Sequence, residues 1–423
     1  MTYLAFDPAA RAWTSASRLG AVPVPELLGR LDIDEDSLDW AARDYGGLVH
    51  HQPLAVARPT RASDISAILR FAADHSLPVV PRGQGHSLAG QAQASGGIVV
   101  DMRGLHQVHE VTPEHIVVDA GAQWSRVLQA TLPLGLTPPV LTDYIGLSVG
   151  GTLSVGGLGG TSHQHGAQTD NVLALQVMTA DGTLLHCSPQ EQRDLFDSVR
   201  ANYGRSGIIT RATLRLVPAP DIVRCRKLKC PSLTSFLNAQ RHLVRDGRID
   251  HIEGHIKLGD TGALSFEVET AAFTDAADEA TALEGFEREA PTRLPYWNFA
   301  NRLEEGELVI GEAGIDQSPH PWCNVLLPDE AAESFLTSAG ADLQDQLYGA
   351  VGLLLAYPLL TSRITTPHLK LPAGELIHLA AALRHADSDF PEAIISMTAS
   401  NNRWFHDVTA ANGTLYAHPF VRG

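Results

Sequence analysis

The sequence predicts an α+β protein built from two domains. The chain has 423 residues, and at roughly 100–200 residues per domain that length suits two or three domains. Short apolar strand patterns alternate with helical patterns in the first half, without forming a strict parallel βαβ series. The prolines of Pro218-Ala-Pro220 then interrupt the pattern. We therefore place the domains at 1–217 and 218–423.

The elements of the first domain follow from residue spacing and turn signals. Residues 61–75 carry Ile65, Ile68 and Leu69 at helical spacing, with Ser63 as the expected N-cap. Apolar runs predict strands, and Asp181-Gly182 predicts the turn of a hairpin. The predicted strands are 77–81, 98–102, 115–120, 172–180, 183–187 and 207–217. Two more helices are predicted at 123–132 and 190–202.

The second domain has a different texture, with few clustered glycines. Residues 232–246 and 276–289 show helical patterns, and residues 251–257 and 263–272 show strand patterns. This half is therefore predicted to be α+β as well.

Composition and charge exclude several classes of protein. The net charge is −17, and binding to nucleic acid needs clustered Lys and Arg, so we expect no such partner. Four cysteines without a C-x-x-C pair argue against a disulfide framework or a zinc ribbon. No apolar run approaches the roughly 20 residues that span a bilayer. Residues 1–13 lack the features of a secretory signal, so we expect a cytoplasmic location.

Glycine is concentrated in two stretches. The first glycine segment, residues 82–91 (RGQGHSLAGQ), follows a predicted strand, and such a turn can present successive N–H groups to a diphosphate. It matches neither the Walker loop nor the Rossmann fingerprint, and a plain surface turn is the alternative. The second glycine segment, residues 146–166, has eight glycines among twenty-one residues. Backbone bare of side chains over that length predicts a planar or bulky group lying against it.

The residues of these segments resemble a known family. Residues 81–91 followed by 96–102 (GGIVVDM) resemble the FAD-binding domain of the vanillyl-alcohol-oxidase (PCMH-type) flavoproteins. Further motifs narrow the resemblance to the cytokinin dehydrogenases, and together they span about residues 50–418. These motifs are 141–144 (LTDY), 149–154 (VGGTLS), 165–168 (HGAQ), 171–173 (NVL), 207–212 (GIITRA), 217–220 (VPAP), 296–303 (YWNFANRL), 320–324 (HPWCN) and 357–360 (YPLL).

The resemblance implies roles for individual residues. His86 matches the histidine that bonds covalently to the 8α-methyl of FAD, and Asp143 matches the catalytic aspartate beside the flavin. Ile208 and Ile209 match the segment whose backbone meets the adenine. The residues that match positions around the diphosphate are Gly83, Gln84, Gly85, Ser87, Gln91, Ser148 and Ser154.

Each of the two central residues also has a structural interpretation. A histidine at a loop tip often bonds only to backbone, and an aspartate in Thr-Asp-Tyr can simply stabilise a turn. His163 and His165 would share one face of a strand, but two ligands do not make a metal site, and we expect no metal.

Two departures of the chain from the family pattern concern the flavin. The loop near Tyr144 has no cysteine, so we expect at most one covalent link to the flavin. After residues 413–419 (GTLYAHP), the segment that returns to cover the flavin is expected to be missing.

The resemblance implies an FAD-dependent oxidoreductase acting on a secondary amine such as an N6-alkenyl adenine. Hydride would pass to flavin N5, the imine would hydrolyse to an aldehyde and an amine, and oxygen or a quinone-like acceptor would reoxidise the flavin. The alternatives are a related flavin oxidase for an alcohol, sugar or natural-product intermediate, or a non-catalytic flavin-fold binding protein. The sequence gives no oligomeric state.

Overall fold

The computed structural model describes residues 4–259, 262–273, 276–304, 306, 318–345, 352–386 and 391–417. Over these residues helices and mainly antiparallel sheets are interspersed along the chain, which confirms the α+β class. None of the helices in this part of the chain is both long enough and apolar enough to cross a bilayer. The expectation about the segment after residue 413 falls partly on residues 418–423, which lie outside the described residues.

The first half contains a small mixed sheet and a larger antiparallel one. The four strands of the mixed sheet, in spatial order, are Arg30–Asp32, Ala55–Arg58, Ile98–Asp101 and Val79–Arg82, of which the last three run parallel. The five strands of the antiparallel sheet, in spatial order, are Leu184–Cys187, Val172–Met178, Ile208–Arg215, His115–Asp119 and Val108–Val111.

Five further strands complete the described part of this half. Leu4–Asp7 pairs with Ala12–Ser15 and Val22–Pro23. Leu136–Thr137 pairs with Val217–Pro218. Its helices are Glu35–Ala41, Ala62–Asp74, Trp124–Thr131, Val149–Leu153, Ser162–His165 and Arg193–Val199.

The second half is built on one large antiparallel sheet. Its eight described strands, in spatial order, are Thr292–Pro295, Ile222–Cys230, Leu264–Ala272, His251–Leu258, Gly352–Leu360, Leu376–Arg384, Cys323–Pro328 and Thr414–Leu415. Its described helices are Leu233–Asp246, Ala276–Ala282, Tyr296–Ala300, Asp329–Asp345 and Pro391–Ala410. The chain enters this sheet at Ile222, close to the domain boundary at residue 218, which stays a prediction.

Helix Ala62–Asp74 shows how local sequence and packing agree. Ile65, Ile68 and Leu69 are buried in one apolar cluster under the mixed sheet, as their spacing predicts. The expected cap at Ser63 is wrong, because Arg61 is the N-cap residue. Asp64 takes over the capping role, since its carboxylate accepts hydrogen bonds from the N–H groups of Thr60 and Arg61.

The two halves share apolar clusters, and this is what fixes the site between them. Tyr296 and Phe299 of the second half pack in the cluster formed by the five-stranded sheet of the first. Leu158 of the second glycine segment packs with Leu355 and Tyr357 of the eight-stranded sheet. Burial of these side chains removes apolar surface from water on both sides, so the glycine segments are held against the large sheet.

Candidate active site

The two glycine-rich segments meet at Gly83 and Ser148. A Cβ atom on Gly83 would overlap with Ser148 Oγ, and the Ser148 side chain is buried. Gly85 has φ +79°, a left-handed conformation that a residue with a Cβ adopts only with strain. The structure therefore brings together, from separate parts of the chain, residues that the sequence assigns to one diphosphate site.

Asp44 holds Ser87 and the backbone of Gly90 in the first glycine segment by hydrogen bonds. Asp44 accepts hydrogen bonds from Ser87 Oγ at 2.9 Å and from the N–H of Gly90 at 2.7 Å. Burial raises the pKa of the Asp44 carboxyl, and those hydrogen bonds act in the opposite direction. The first glycine segment is thus braced on a carboxylate that the sequence interpretation did not single out.

Arg82 begins the first glycine segment and supplies a positive charge that a diphosphate site needs. Its side chain is 5 % exposed and lies 4.4 Å from the ring centre of Trp40. Burial lowers the pKa of Arg82 to about 10, so the group stays cationic at neutral pH. Its Nε has no hydrogen-bond partner among the described residues, and a Cβ on Gly85 would overlap with its guanidinium. A buried cation with an unpaired N–H donor next to a glycine turn can bind the negatively charged oxygens of a diphosphate. These residues therefore fit FAD.

His86 projects from the same segment and is held by ring contacts. Its ring lies 4.6 Å from that of Tyr45, with 14° between the planes, and 5.2 Å from that of Tyr144. Burial, with His320 and the charge of Arg82, lowers the pKa of His86 to about 4. The imidazole is therefore neutral near pH 7 and its ring is nucleophilic. Tyr144 adjoins Asp143 in the chain, so the predicted tether contacts the residue next to the predicted base.

The remaining predicted cofactor residues lie in less distinctive surroundings. Gln84 is half-buried, and Gln91 Oε1 accepts a local hydrogen bond from the N–H of Ala89 at 2.9 Å. Ser154 Oγ donates to the carbonyl of Gly150 at 2.7 Å, within its own helix. Their roles toward the diphosphate stay predictions.

Ile208 and Ile209 lie at the start of strand Ile208–Arg215, with buried side chains. Their backbones pair with Met178 and Val177 on one side. On the other side, the register with His115–Asp119 runs only from Arg211 to Arg215. The backbone of Ile208 and Ile209 on that side is therefore not paired with strand His115–Asp119. This is compatible with the predicted contact of their backbone to adenine.

Several glycines of the second glycine segment pack directly against other parts of the protein. A Cβ at Gly157 would overlap with the Gln168 side chain, and one at Gly159 would overlap with the Leu141 carbonyl. A Cβ at Gly160 would overlap with the His251 ring. These three glycines allow close packing of protein on protein, so the expectation that a ligand explains the whole stretch is wrong for them.

His163 and His165 lie on the short helix Ser162–His165, not on a strand, so the shared strand face expected for them is wrong. The two ring nitrogens of buried His163 lie 2.9 Å from the Gly160 carbonyl and 3.0 Å from the Ile249 carbonyl. Burial lowers the pKa of His163 to about 4. A neutral ring donates to only one of these carbonyls. Its surroundings are those of a structural histidine.

Asp143 lies at the centre of a polar group that we call the Asp143 cluster: Asp143, Glu253, Arg302 and Tyr357. Glu253 and Tyr357 are buried, and Asp143 and Arg302 are partly buried. Asp143 Oδ1 is 3.1 Å from Arg302 Nη2, and Oδ2 accepts a hydrogen bond from the Tyr357 hydroxyl. Burial, reinforced by the negative charge of Glu253, raises the pKa of Asp143. Arg302 and Tyr357 act in the opposite direction. A raised pKa makes the carboxylate a better proton acceptor.

Glu253 faces Asp143 from strand His251–Leu258. Its carboxylate is 2.8 Å from Arg302 Nη2, and it contacts the Nε2 atoms of His251 at 3.2 Å and His255 at 2.8 Å. Burial alone would raise the pKa of Glu253, but the two histidines and Arg302 outweigh burial and lower it. The cluster therefore contains one carboxylate held firmly as an anion and one with raised basicity.

The charges of the Asp143 cluster indicate whether a metal ion could bind there. Ligand atoms of Asp143, His251 and Glu253 all lie within 4.8 Å of one another. The guanidinium of Arg302 contacts both carboxylates and so already supplies a positive charge where a cation would sit. We assign no metal to this place.

Sequence reasoning missed roles for Glu253, Arg302, Tyr357 and Arg82. The alternation His251, Glu253, His255 was the available signal, since alternate residues of a strand share a face. Arg302 and Tyr357 fall inside motifs that the resemblance identifies, and Arg82 adjoins Gly83, but none of them received a role.

Gly83→Ala tests the contact between the two segments. We expect about 1–3 kcal/mol of overpacking cost, seen as a lower melting temperature and less flavin per chain, because the new Cβ would overlap with Ser148 Oγ. The double variant Gly83→Ala with Ser148→Gly should recover most of the loss. Equal loss in the single and double variants would contradict this geometry.

Comparison with known proteins agrees with this geometry. Residues 53–188 match the family model described as "FAD binding domain", and residues 286–416 match "Cytokinin dehydrogenase 1, FAD and cytokinin binding". Two solved structures share the fold. They are 6-hydroxy-D-nicotine oxidase from Arthrobacter nicotinovorans (TM-score 0.69, 20 % identity) and xylooligosaccharide oxidase from Myceliophthora thermophila (TM-score 0.74, 18 % identity). Both alignments cover 92 % of this chain and 88 % of the other.

Curated relatives are similar over most of the chain. An uncharacterized oxidoreductase, ORF5 in the fasciation locus of Rhodococcoides fascians, is 37 % identical over 92 % of this chain and 90 % of its own. Cytokinin dehydrogenases 10 and 7 of Oryza sativa subsp. japonica are 33 % and 34 % identical over 79 % of this chain, and 70 % and 74 % of theirs. The chain thus belongs to the cytokinin dehydrogenase-like group of the vanillyl-alcohol-oxidase (PCMH-type) flavoproteins, and it is an FAD-dependent oxidoreductase of that family.

Proposed function

We propose that this protein oxidises a secondary amine of the N6-alkenyl adenine type to an imine, which water then converts to an aldehyde and a primary amine. Bound FAD supplies the acceptor for the hydride that leaves the carbon next to the nitrogen. The relatives named cytokinin dehydrogenase support this substrate class. Oxygen or a quinone-like compound is the proposed final electron acceptor.

The observation that carries the proposal is the Asp143 carboxylate. It is anchored at one oxygen by Arg302 and at the other by the Tyr357 hydroxyl, which fixes its orientation. Burial raises its pKa, so it competes effectively for the proton of the substrate N–H as the adjacent C–H bond breaks. Asp143 acts here as the general base, and it holds that proton when the imine leaves.

Two sets of residues hold the cofactor in this proposal. His86 is the covalent tether, because its imidazole is neutral and lies beside Tyr144 in the same site. The diphosphate is bound by Gly83, Gly85 and their neighbours on the two glycine segments, with Arg82 beneath them as the buried cation. Ile208 and Ile209 offer backbone to the adenine.

A matched substrate panel tests the reaction class. N6-isopentenyladenine should be turned over to an aldehyde and adenine, while the analogue with an ether oxygen in place of the exocyclic N–H should not react, because Asp143 then has no proton to accept. Simple primary alcohols and oligosaccharides form the third arm. Turnover of an alcohol or sugar, with no reaction of any secondary amine, would replace this proposal by the alcohol-oxidase alternative.

Arg302→Met should move the acid limb of the kcat/KM profile to higher pH. Asp143 must be ionised to accept a proton, and the charge of Arg302 opposes the rise of its pKa. Removing the guanidinium therefore raises that pKa further, and activity is lost at a higher pH than in the wild type. Arg245→Met, at an exposed position, is the control. A profile that stays in place would show that Arg302 does not set the basicity of Asp143.

A further inference from the structure

A column of stacked rings runs from the predicted tether into the second half of the protein. His86 and Tyr45 stack with their centres 4.6 Å apart, and Tyr45 and His320 stack at 4.1 Å with 17° between their planes. Trp322 packs beside Tyr45, with the ring centres 5.2 Å apart and 71° between the planes. Tyr45 is therefore enclosed by rings on both faces.

Backbone hydrogen bonds fix this column to the first glycine segment. The N–H groups of Tyr45 and Gly46 donate to the carbonyls of Gly85 and Ser87, at 2.8 and 3.0 Å, on either side of His86 in the chain. The His320 N–H donates to the Gly46 carbonyl at 2.8 Å, and its Nδ1 donates to the Tyr45 carbonyl at 2.9 Å. The Tyr45 ring thus has little freedom to move relative to the backbone that bears His86.

His86 itself is held through its ring faces. Tyr45 covers one side nearly parallel, and Tyr144 contacts the ring at 5.2 Å and 38°. No hydrogen bond to either ring nitrogen of His86 occurs among the described residues. Stacking of this kind fixes the plane of an aromatic ring without using the nitrogen lone pair or the N–H, so the edge of the imidazole stays available for reaction.

We propose that Tyr45 is a positioning residue for covalent attachment of FAD: its ring, clamped by His320, sets the plane of the His86 imidazole so that a ring nitrogen meets the 8α-carbon of the flavin. This role rests on the proposed function of His86 as the tether. Tyr45 takes no part in amine oxidation, and its effect is on how fast the link forms.

The attachment step balances with the flavin itself as the two-electron acceptor. A neutral His86 nitrogen forms a bond to the 8α-carbon of FAD. That carbon and the imidazole N–H each release one proton, and two electrons pass into the flavin, which takes up two protons. Dioxygen or a quinone, the acceptor class of the proposed function, then reoxidises the flavin. The protein must supply only the neutral nitrogen and its orientation.

The test is the time course of acid-stable flavin after FAD is added to protein from riboflavin-starved cells. Tyr45→Leu should attach FAD about threefold to tenfold more slowly, the fold-change that corresponds to one aromatic pair, with normal total flavin per chain. Tyr45→Phe keeps the stack and should attach FAD at the wild-type rate. This rescue by the conservative variant shows that the ring of Tyr45, and not its hydroxyl, is required.

Three results would overturn the role of Tyr45. One is a Tyr45→Leu variant that loads as fast as the wild type. Another is a Tyr45→Phe variant as slow as Tyr45→Leu. If Tyr45→Leu binds no flavin, His320→Leu decides, since it leaves the Tyr45 ring and the N–H bonds of Tyr45 and Gly46 to the first glycine segment in place: slower attachment at normal total flavin supports the role, and wild-type attachment overturns it.

The tether and the role of Tyr45 fail in different ways. A wild-type protein that carries FAD only without a covalent bond would overturn both. A wild-type protein that carries covalent FAD, with equal loading of Tyr45→Leu and His320→Leu, would overturn the role of Tyr45 and leave the tether standing.

Discussion

Asp143→Asn is expected to lower kcat by about 100- to 10,000-fold, the usual contribution of a general base. The amide keeps the size of the side chain and can still contact Tyr357, but it cannot accept the amine proton. Flavin content and melting temperature should change little, because the substitution removes a buried charge whose pKa is already raised by burial. Steady-state turnover of N6-isopentenyladenine at saturating concentration measures the effect.

The control for this prediction is Asp194→Asn, which removes a carboxylate from an exposed position in the first turn of helix Arg193–Val199. It should keep wild-type kcat. An Asp143→Asn variant with wild-type kcat and normal flavin content would show that another group takes the proton, and would remove Asp143 from the proposed mechanism.

His86→Ala is expected to abolish acid-stable flavin. The variant should still bind FAD, since the diphosphate contacts and Arg82 are unchanged, but the flavin should leave with the supernatant when the protein is precipitated with acid. Its potential should fall, because N-alkylation at the 8α position generally raises it, and turnover should slow accordingly. Flavin fluorescence of the denatured protein on a gel gives the readout.

His106→Ala is the matched control, because His106 is exposed and lies outside the site. It should keep all of its acid-stable flavin. Acid-stable flavin that persists in His86→Ala would place the covalent link on another residue, and would also remove the basis for the role of Tyr45.

Many helices and turns depend on residues close together in the sequence and could be predicted from it. The spacing of Ile65, Ile68 and Leu69 places one helix face in the core, and burial confirms it. Asp181-Gly182 predicts a hairpin, which forms with Gly182 at φ +77°. The prediction of Ser63 as the cap of helix Ala62–Asp74 was wrong. The Asp64 carboxylate accepts hydrogen bonds from backbone N–H groups that precede the helix, and the general preference for serine at N-cap positions does not predict this.

The composition of the site depends on contacts between distant parts of the chain. Arg302 lies 159 residues from Asp143, and Tyr357 lies 214 residues from it. No periodic pattern links such positions, because the sheet register and the packing of the two halves decide which side chains meet. Asp143 and His86 were found through motifs, whereas Glu253, Arg302 and Tyr45 emerged only from geometry.

The second glycine segment shows how one pattern can have several causes. Gly83 and Ser148 show that the two segments meet, as a shared cofactor site requires. Gly157, Gly159 and Gly160 lack a side chain because other parts of the protein fill that space. Glycine content alone does not distinguish a bound ligand from close packing of backbone.

Anaerobic mixing of the flavin-loaded protein with N6-isopentenyladenine tests the central proposal most directly, with the flavin absorbance followed before any acceptor is added. We expect one equivalent of amine to bleach the oxidised flavin band, with one equivalent of aldehyde formed and the colour restored by oxygen or a quinone. A flavin that dithionite bleaches but that no secondary amine reduces would contradict the proposed amine oxidation.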